Sequence, residues 1–155
     1  MASIHEYPAP EPLKEYVRCI RVIEAEPTAP ETSPARMLPC GCPELVIHAG
    51  DAQPRCVLHG QMSRAPARGP GQAPALGEVP ALRPGGPGSE AGGAVTFRYL
   101  PDGASALFGL RMDAMTDRHA PLAEICGRSG RQFEERSIHW RTMEERINAG
   151  TEFLL

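Results

Sequence analysis

The sequence predicts an α+β protein in which strands come first and short helices follow. Segments rich in β-branched and aromatic residues occupy the first two thirds of the chain, and helix-like segments occupy the last third. Glycine and proline number 16 and 17 among 155 residues, which disfavours an all-helical bundle because both destabilise helix interiors. Single domains most often have about 100–150 residues. We therefore predict one domain over residues 1–155.

Four segments are predicted as strands. Residues 17–24 follow a helical turn at 11–16 and are rich in β-branched residues. Their apolar side chains fall on both faces of the strand, which predicts that the strand is covered on both sides. Segments 44–49 and 55–59 are separated by a short link and predict an antiparallel hairpin. Residues 95–99 alternate large apolar and polar side chains, the pattern of a half-buried strand.

The faces of the first strand can be assigned from the alternation of side chains. A regular strand places Val17, Cys19 and Ile23 on one face and Ile20 and Val22 on the other.

The last third of the chain is predicted to form short helices. They cover residues 104–110, 121–126, 131–136 and 142–149. The last is expected to end near Gly150, because glycine commonly follows the final residue of a helix. Trp140 precedes this helix and is expected to pack it on the sheet or on a second subunit.

A different composition marks residues 64–94. Of these 31 residues, 21 are glycine, proline or alanine and none is aromatic. Such a segment buries too little apolar surface to offset the entropy lost on ordering. We predict a disordered insertion here within the single domain.

Composition excludes several classes of protein. No run of about 20 apolar residues predicts a membrane span, and the first ten residues lack the pattern of a secretory signal. With 16 basic and 19 acidic residues, the chain lacks the positive field that holds a nucleic-acid backbone. Five cysteines at irregular spacing are typical of reduced thiols. These features predict a cytoplasmic protein that neither binds nucleic acid directly nor contacts a membrane.

A family resemblance emerges from motifs taken in order along the chain. They are Pro12-Leu13-Lys14-Glu15-Tyr16-Val17, then Leu38-Pro39-x-Gly41-Cys42-Pro43-Glu44-Leu45-Val46-Ile47, Gly60-Gln61-Met62 and Val95-x-Phe97-Arg98-x-x-Pro101-x-Gly103-Ala104. Together they resemble the N-terminal, sensor-like domain of AraC-like bacterial transcriptional regulators over residues 7 to about 154. Cys40 departs from the pattern, because it stands where the family usually has an acidic residue.

The resemblance implies a β-rich, cupin-like sheet or barrel followed by helices that serve dimerisation and linkage. It implies a regulatory role in transcription, through effector sensing or dimerisation, and not an enzyme. The helix-turn-helix half that reads DNA in these regulators is not found in the sequence. The expected partners are a small-molecule effector and either a second copy of the chain or a full-length regulator.

Four residues are candidates for ligand binding: Glu44, His48, His59 and Tyr99. Glu44 and His48 share one face of their strand, where a carboxylate and an imidazole could orient a polar effector at the mouth of a pocket. The alternative is that both are solvated while Leu45 and Ile47 fill the core. Tyr99 could reach a ligand or only satisfy its hydroxyl at the rim of the core.

A second hypothesis is a small metal-binding, cupin-like protein or enzyme. It is based on the density of soft ligands in Cys40, Cys42, His48, Cys56 and His59. Two features disfavour it: Cys-x-Cys is not the usual zinc spacing, and Cys56 and His59 point to opposite faces of a regular strand. We therefore predict no metal, no cofactor and no catalytic residue.

Overall fold

A computed structural model describes residues 3–24, 41–49, 55–63 and 93–155 of the chain. Within these residues the strands and helices are as follows, in chain order: β1 (Ser3–Pro8), a 3-10 helix (Glu11–Leu13), β2 (Val17–Glu24), β3 (Glu44–His48), β4 (Cys56–His59), β5 (Gly93–Tyr99), α1 (Gly103–Phe108), β6 (His119–Pro121), α2 (Leu122–Ser137) and α3 (Met143–Leu154).

The described strands form one antiparallel sheet in the order β1-β2-β5-β3-β4-β6. The central strand β5 pairs with both β2 and β3, although it follows them late in the chain. The strands precede α2 and α3, so the predicted α+β fold is confirmed. In the described pairings the strands form a sheet with β1 and β6 at its two edges.

The helices cover one face of this sheet, which we call the apolar face. It consists of alternate residues of four strands: Ile20, Val22, Leu45, Ile47, Cys56, Leu58, Val95, Phe97 and Tyr99. Leu122 and Phe133 of α2 and Leu154 of α3 pack into the same cluster. Phe133 contacts Trp140 and Phe153, with ring centroids 5.0 and 4.5 Å away. Phe133 of α2 therefore contacts both Phe153 of α3 and Trp140, which is partly buried against the same core cluster.

The predicted strands are close to the observed ones. β2 has the predicted bounds, and β3 and β4 form the predicted antiparallel hairpin. Ile20, Val22 and Ile23 are each at most 5% exposed, so β2 is covered on both sides. A bulge corrects the assignment of Val17, because the register shifts between Val17 and Cys19 and puts Val17 on the face of Ile20.

The edge strands β1 and β6 are not among the predicted elements. β1 is mostly exposed, and its sequence lacks an apolar alternation that would mark a buried face. β6 has three residues, too few to carry a period. Of the predicted insertion at 64–94, residues 64–92 lie outside the described residues, and the final two, Gly93 and Ala94, belong to β5.

The two predicted helices, at 121–126 and 131–136, correspond to the two helical halves of α2, which are separated by non-helical backbone at Gly127. α2 runs from Leu122 to Ser137 with a kink at Gly127, where the backbone angles are φ 55° and ψ −123°. Positive φ is accessible to glycine at little steric cost, because glycine has no Cβ.

Gly150 does not end the last helix, so that prediction was wrong. α3 continues to Leu154, and Gly150 is buried in its middle. A Cβ built at this position would lie 2.4 Å from the ring of Phe97 and 3.2 Å from Ile47. Glycine is therefore required here for the close approach of α3 to the sheet.

We expect Gly150→Ala to destabilise the protein by up to about 2 kcal/mol. The added methyl overpacks the contact with Phe97 at a cost of about 1–3 kcal/mol, which exceeds the helix-propensity gain of about 1 kcal/mol. Urea denaturation would measure the difference. Asn148→Ala, at an exposed position of the same helix, is the matched control and should be neutral or slightly stabilising. A Gly150→Ala protein more stable than the wild type would contradict the packing argument.

No helix in the described part of the chain is both long and apolar enough to cross a membrane.

Candidate ligand-binding face of the sheet

The register of the sheet aligns charged and imidazole side chains in one row. Glu44 of β3 lies opposite Arg98 of β5 on one side and His59 of β4 on the other. His59 in turn lies opposite His119 of β6. Directly opposite residues of antiparallel strands project to the same face. These four side chains therefore lie side by side on the face away from the helices.

Neighbouring positions extend this row into a polar surface. Arg21 of β2 lies opposite Thr96 of β5, and His48 lies at the far end of β3 from Glu44. We call the combined surface the polar face. It consists of Arg21, Glu44, His48, His59, Thr96, Arg98 and His119.

Glu44 is the centre of a buried ion cluster on this face. Its Oε1 atom accepts a hydrogen bond from Nη2 of Arg21 at 2.5 Å and lies 3.0 Å from Nε of Arg98. The side chains of Arg21, Glu44 and Arg98 are 10%, 4% and 19% exposed. Buried charges are costly unless paired, and the Glu44 carboxylate contacts both guanidinium groups.

The two buried histidines of the polar face are neutral at pH 7. Burial lowers the pKa of His48 to about 4. Burial also lowers the pKa of His59 to about 4, with smaller contributions from neighbouring His119 and His48. The rings of His59 and His119 are 5.5 Å apart between centroids. Neutral imidazole offers one donor and one acceptor nitrogen, which suits a polar, uncharged part of a ligand.

Several buried polar atoms of this face have no hydrogen-bond partner among the described residues. They are Nε of Arg21, Oγ1 of Thr96 and Nδ1 of His59. Thr96 is 0% exposed and Arg21 is 9% exposed. Each buried group without a partner costs about 1–3 kcal/mol. Such groups gathered on one surface indicate a binding site, where a ligand would supply the missing partners.

The structure brings together three of the four predicted site residues. Glu44, His48 and His59 lie on the polar face, and the first two are only 3% and 4% exposed. The solvated alternative for Glu44 and His48 was therefore wrong, while its other half is confirmed because Leu45 and Ile47 are in the core.

Tyr99 lies away from the other three, on the apolar face. Tyr99 and Arg98 are neighbours in β5 and therefore project to opposite faces, which places Tyr99 on the side of the helices. Its ring packs edge-on against that of Phe108, with 5.7 Å between the ring centroids. Burial raises the pKa of the Tyr99 hydroxyl well above its ordinary value. Geometry therefore separates Tyr99 from the polar face.

Four residues of the polar face were not predicted as site residues: Arg21, Thr96, Arg98 and His119. Arg21 and Thr96 each stand between two apolar residues of a predicted strand. This alternation could have placed both side chains on the strand face opposite the apolar core. His119 lies in the short strand β6, where the sequence gives no comparable signal.

The sheet places the cysteine and histidine residues of the candidate metal-binding cluster on different faces. Cys56 lies on the apolar face, where burial raises the pKa of its thiol, and His59 lies on the polar face, as strand alternation predicts. Cys40 lies outside the described residues. Across 3–24, 41–49, 55–63 and 93–155, no group of three or more His, Cys, Asp or Glu side chains is placed to hold a metal ion.

A family model matches part of the chain. The family described as a domain of unknown function, DUF6597, matches residues 5–75. That span includes Arg21, Glu44, His48 and His59 but not the β5 side of the polar face. No curated protein matches the chain. No solved structure matches it either.

Proposed function

We propose that the chain is a regulatory domain of the AraC-like type that binds a small polar effector on the polar face. Its helices α2 and α3 would link effector binding to dimerisation, and we assign the chain no DNA-reading role. We further place it in the cytoplasm, where thiols stay reduced. Consistent with this, Cys19, Cys56 and Cys126 form no disulfide within the described residues.

The observation that carries this proposal is the set of buried polar atoms without partners on the polar face. A sheet face that served only for packing would be expected to carry apolar side chains, as the opposite face does. Here the buried surface carries an ion cluster, two neutral histidines and a buried hydroxyl beside apolar side chains such as Ile23, Val46 and Val57. A few convergent polar groups within an otherwise apolar setting are typical of small-molecule sites.

The order of motifs along the chain supports the regulatory part of the proposal. The motif Gly41-Cys42-Pro43-Glu44 leads directly into β3, so Glu44 begins that strand at the centre of the ion cluster. The motif Phe97-Arg98 supplies one core residue and one residue of the polar face from β5. Motifs that resemble AraC-like sensor domains thus contribute residues to the surface that we propose binds the effector.

Thr96→Val tests the effector site. The wild-type hydroxyl is buried without a partner, so an apolar residue of the same shape should leave the ligand-free protein equally stable or more stable. If the hydroxyl binds the effector, the same change should weaken binding about 2- to 10-fold, the value of one hydrogen bond. Thermal-shift screening of a metabolite library would find compounds that bind, and calorimetry would compare the two proteins.

Thr151→Val is the matched control, because it removes a hydroxyl from α3 on the other side of the sheet. It should leave the affinity unchanged. A library in which no compound stabilises the protein would contradict effector binding, and compounds that bind Thr96→Val as tightly as the wild type would contradict the placement of the site at Thr96. Light scattering over a range of concentrations tests dimerisation, and a monomer throughout would contradict that part.

A further inference from the structure

We infer that the effector is an organic acid whose carboxylate is bound between the guanidinium group of Arg21 and the hydroxyl of Thr96. This inference rests on the proposed function and specifies its ligand class. It depends on the position, burial and hydrogen bonding of these two side chains.

Arg21 and Thr96 form an adjacent pair of buried donors. They lie directly opposite each other on β2 and β5, which places their Cβ atoms about 4.5–5.5 Å apart. Nε of Arg21 and Oγ1 of Thr96 are both buried and both lack a partner among the described residues. One carboxylate has two oxygens and can accept a hydrogen bond from each donor.

The charge of Arg21 favours a carboxylate over a neutral acceptor. Arg21 forms an ion pair with Glu44, in which its Nη2 donates a hydrogen bond to Oε1. The same oxygen also contacts Arg98. The negative charge of Glu44 is therefore shared between two guanidinium groups. A carbonyl or hydroxyl could accept from Nε, but only an anion would also offset the buried positive charge. Hydrogen bonds between charged groups are roughly twice as strong as neutral ones.

Glu6 of β1 is the acidic residue that the register places opposite Arg21. Its side chain is exposed, and no hydrogen bond or ion pair joins it to Arg21 within the described residues. Glu6 therefore leaves Nε of Arg21 available to a ligand.

Matched pairs of acids and their amides would test this inference. The probes are succinate and succinamide, benzoate and benzamide, and pyruvate and pyruvamide, each measured by calorimetry at constant ionic strength with sodium chloride as the salt control. We expect at least one acid to bind and its amide to bind at least tenfold more weakly. Arg21→Gln should reduce the affinity for that acid about 10- to 100-fold, the range for hydrogen bonds to charged groups.

Two further variants keep the test independent of folding. Arg18→Gln removes an exposed cation from the same strand and should bind the acid as the wild type does. Thr96→Val removes no charge and should weaken binding of the acid even if Arg21→Gln does not fold. Acids that bind Thr96→Val with wild-type affinity would overturn the inference.

The outcomes also separate this inference from the function on which it rests. If neutral compounds bind as tightly as acids, or bind while every acid fails, the carboxylate assignment is wrong but the effector site remains. If neither these probes nor the metabolite library gives any binding, the effector site itself is wrong and the inference falls with it.

Discussion

Glu44→Ala is expected to destabilise the protein by about 3–5 kcal/mol, the cost of removing one partner from a buried ion cluster. Glu44 is 3% exposed and contacts both Arg21 and Arg98. Without its carboxylate, Arg21 keeps a buried guanidinium group that has lost its ion-pair partner among the described residues. The loss of free energy of unfolding would be measured by urea denaturation at pH 7.5.

Glu11→Ala is the matched control for this change. Glu11 also forms an ion pair, with Lys14, but its side chain is 84% exposed. Exposed pairs contribute about 0–1 kcal/mol because water already solvates both charges. If Glu44→Ala lowers the free energy of unfolding by less than about 1 kcal/mol, the ion pairs of Glu44 contribute no more than an exposed pair does, which would contradict the prediction.

The protein is expected to lose stability as the pH falls from 7.5 to 5, by about 2 kcal/mol for each of His48 and His59. Burial lowers the pKa of each from 6.5 to about 4. In this window the unfolded chain binds protons that the folded protein excludes, so acid favours unfolding. The stabilisation is complete above pH 6.5 and is lost progressively as the pH falls toward 4. Urea denaturation at several pH values would follow it.

Substitution by glutamine separates the histidines from the other acid-sensitive groups. His48→Gln and His59→Gln should each flatten the dependence of stability on pH between 7.5 and 5. His139→Gln, at an exposed position, should leave it as steep as in the wild type. Equal slopes in all four proteins would show that neither buried histidine excludes protons in the folded state.

Burial is the main reason why the pKa of each histidine is lowered, and at His59 the neighbouring imidazoles of His119 and His48 add to it. His59 lies between Glu44 and His119 in the row across the sheet, and Arg98 lies beyond Glu44. Glu44 already contacts two guanidinium groups. Protonated His59 would therefore add a further cation to a buried cluster, with Glu44 as the carboxylate beside it in the row.

Local sequence patterns predicted most of the strands. β2 is dense in β-branched residues, and the hairpin of β3 and β4 follows from two apolar segments joined by a short link. Core residues such as Leu45 and Phe97 could be named because a side chain two positions away shares the same face. The pattern gave no sign of β1, because an exposed edge strand has little need of apolar residues.

The helices show where local rules are overridden by packing. Glycine after a helical segment usually ends the helix, yet Gly150 lies inside α3 because the helix passes close to Phe97. That contact joins residues far apart in the chain, and no local pattern contains it. At Gly127 the local pattern and the structure agree, because non-helical backbone there separates two helical halves of α2 that correspond to the two predicted helices.

The sequence by itself determined which side chains share a face within each strand, since that alternation follows from the geometry of one extended chain. It therefore placed Glu44 with His48 and separated Arg98 from Tyr99. Only the tertiary structure decided which faces of different strands coincide. Inserting β5 between β2 and β3 set the register that brings Arg21, Arg98 and Glu44 together and sends Tyr99 to the helices. Pairing between distant segments depends on the burial of the whole sheet, and no short stretch of sequence specifies it.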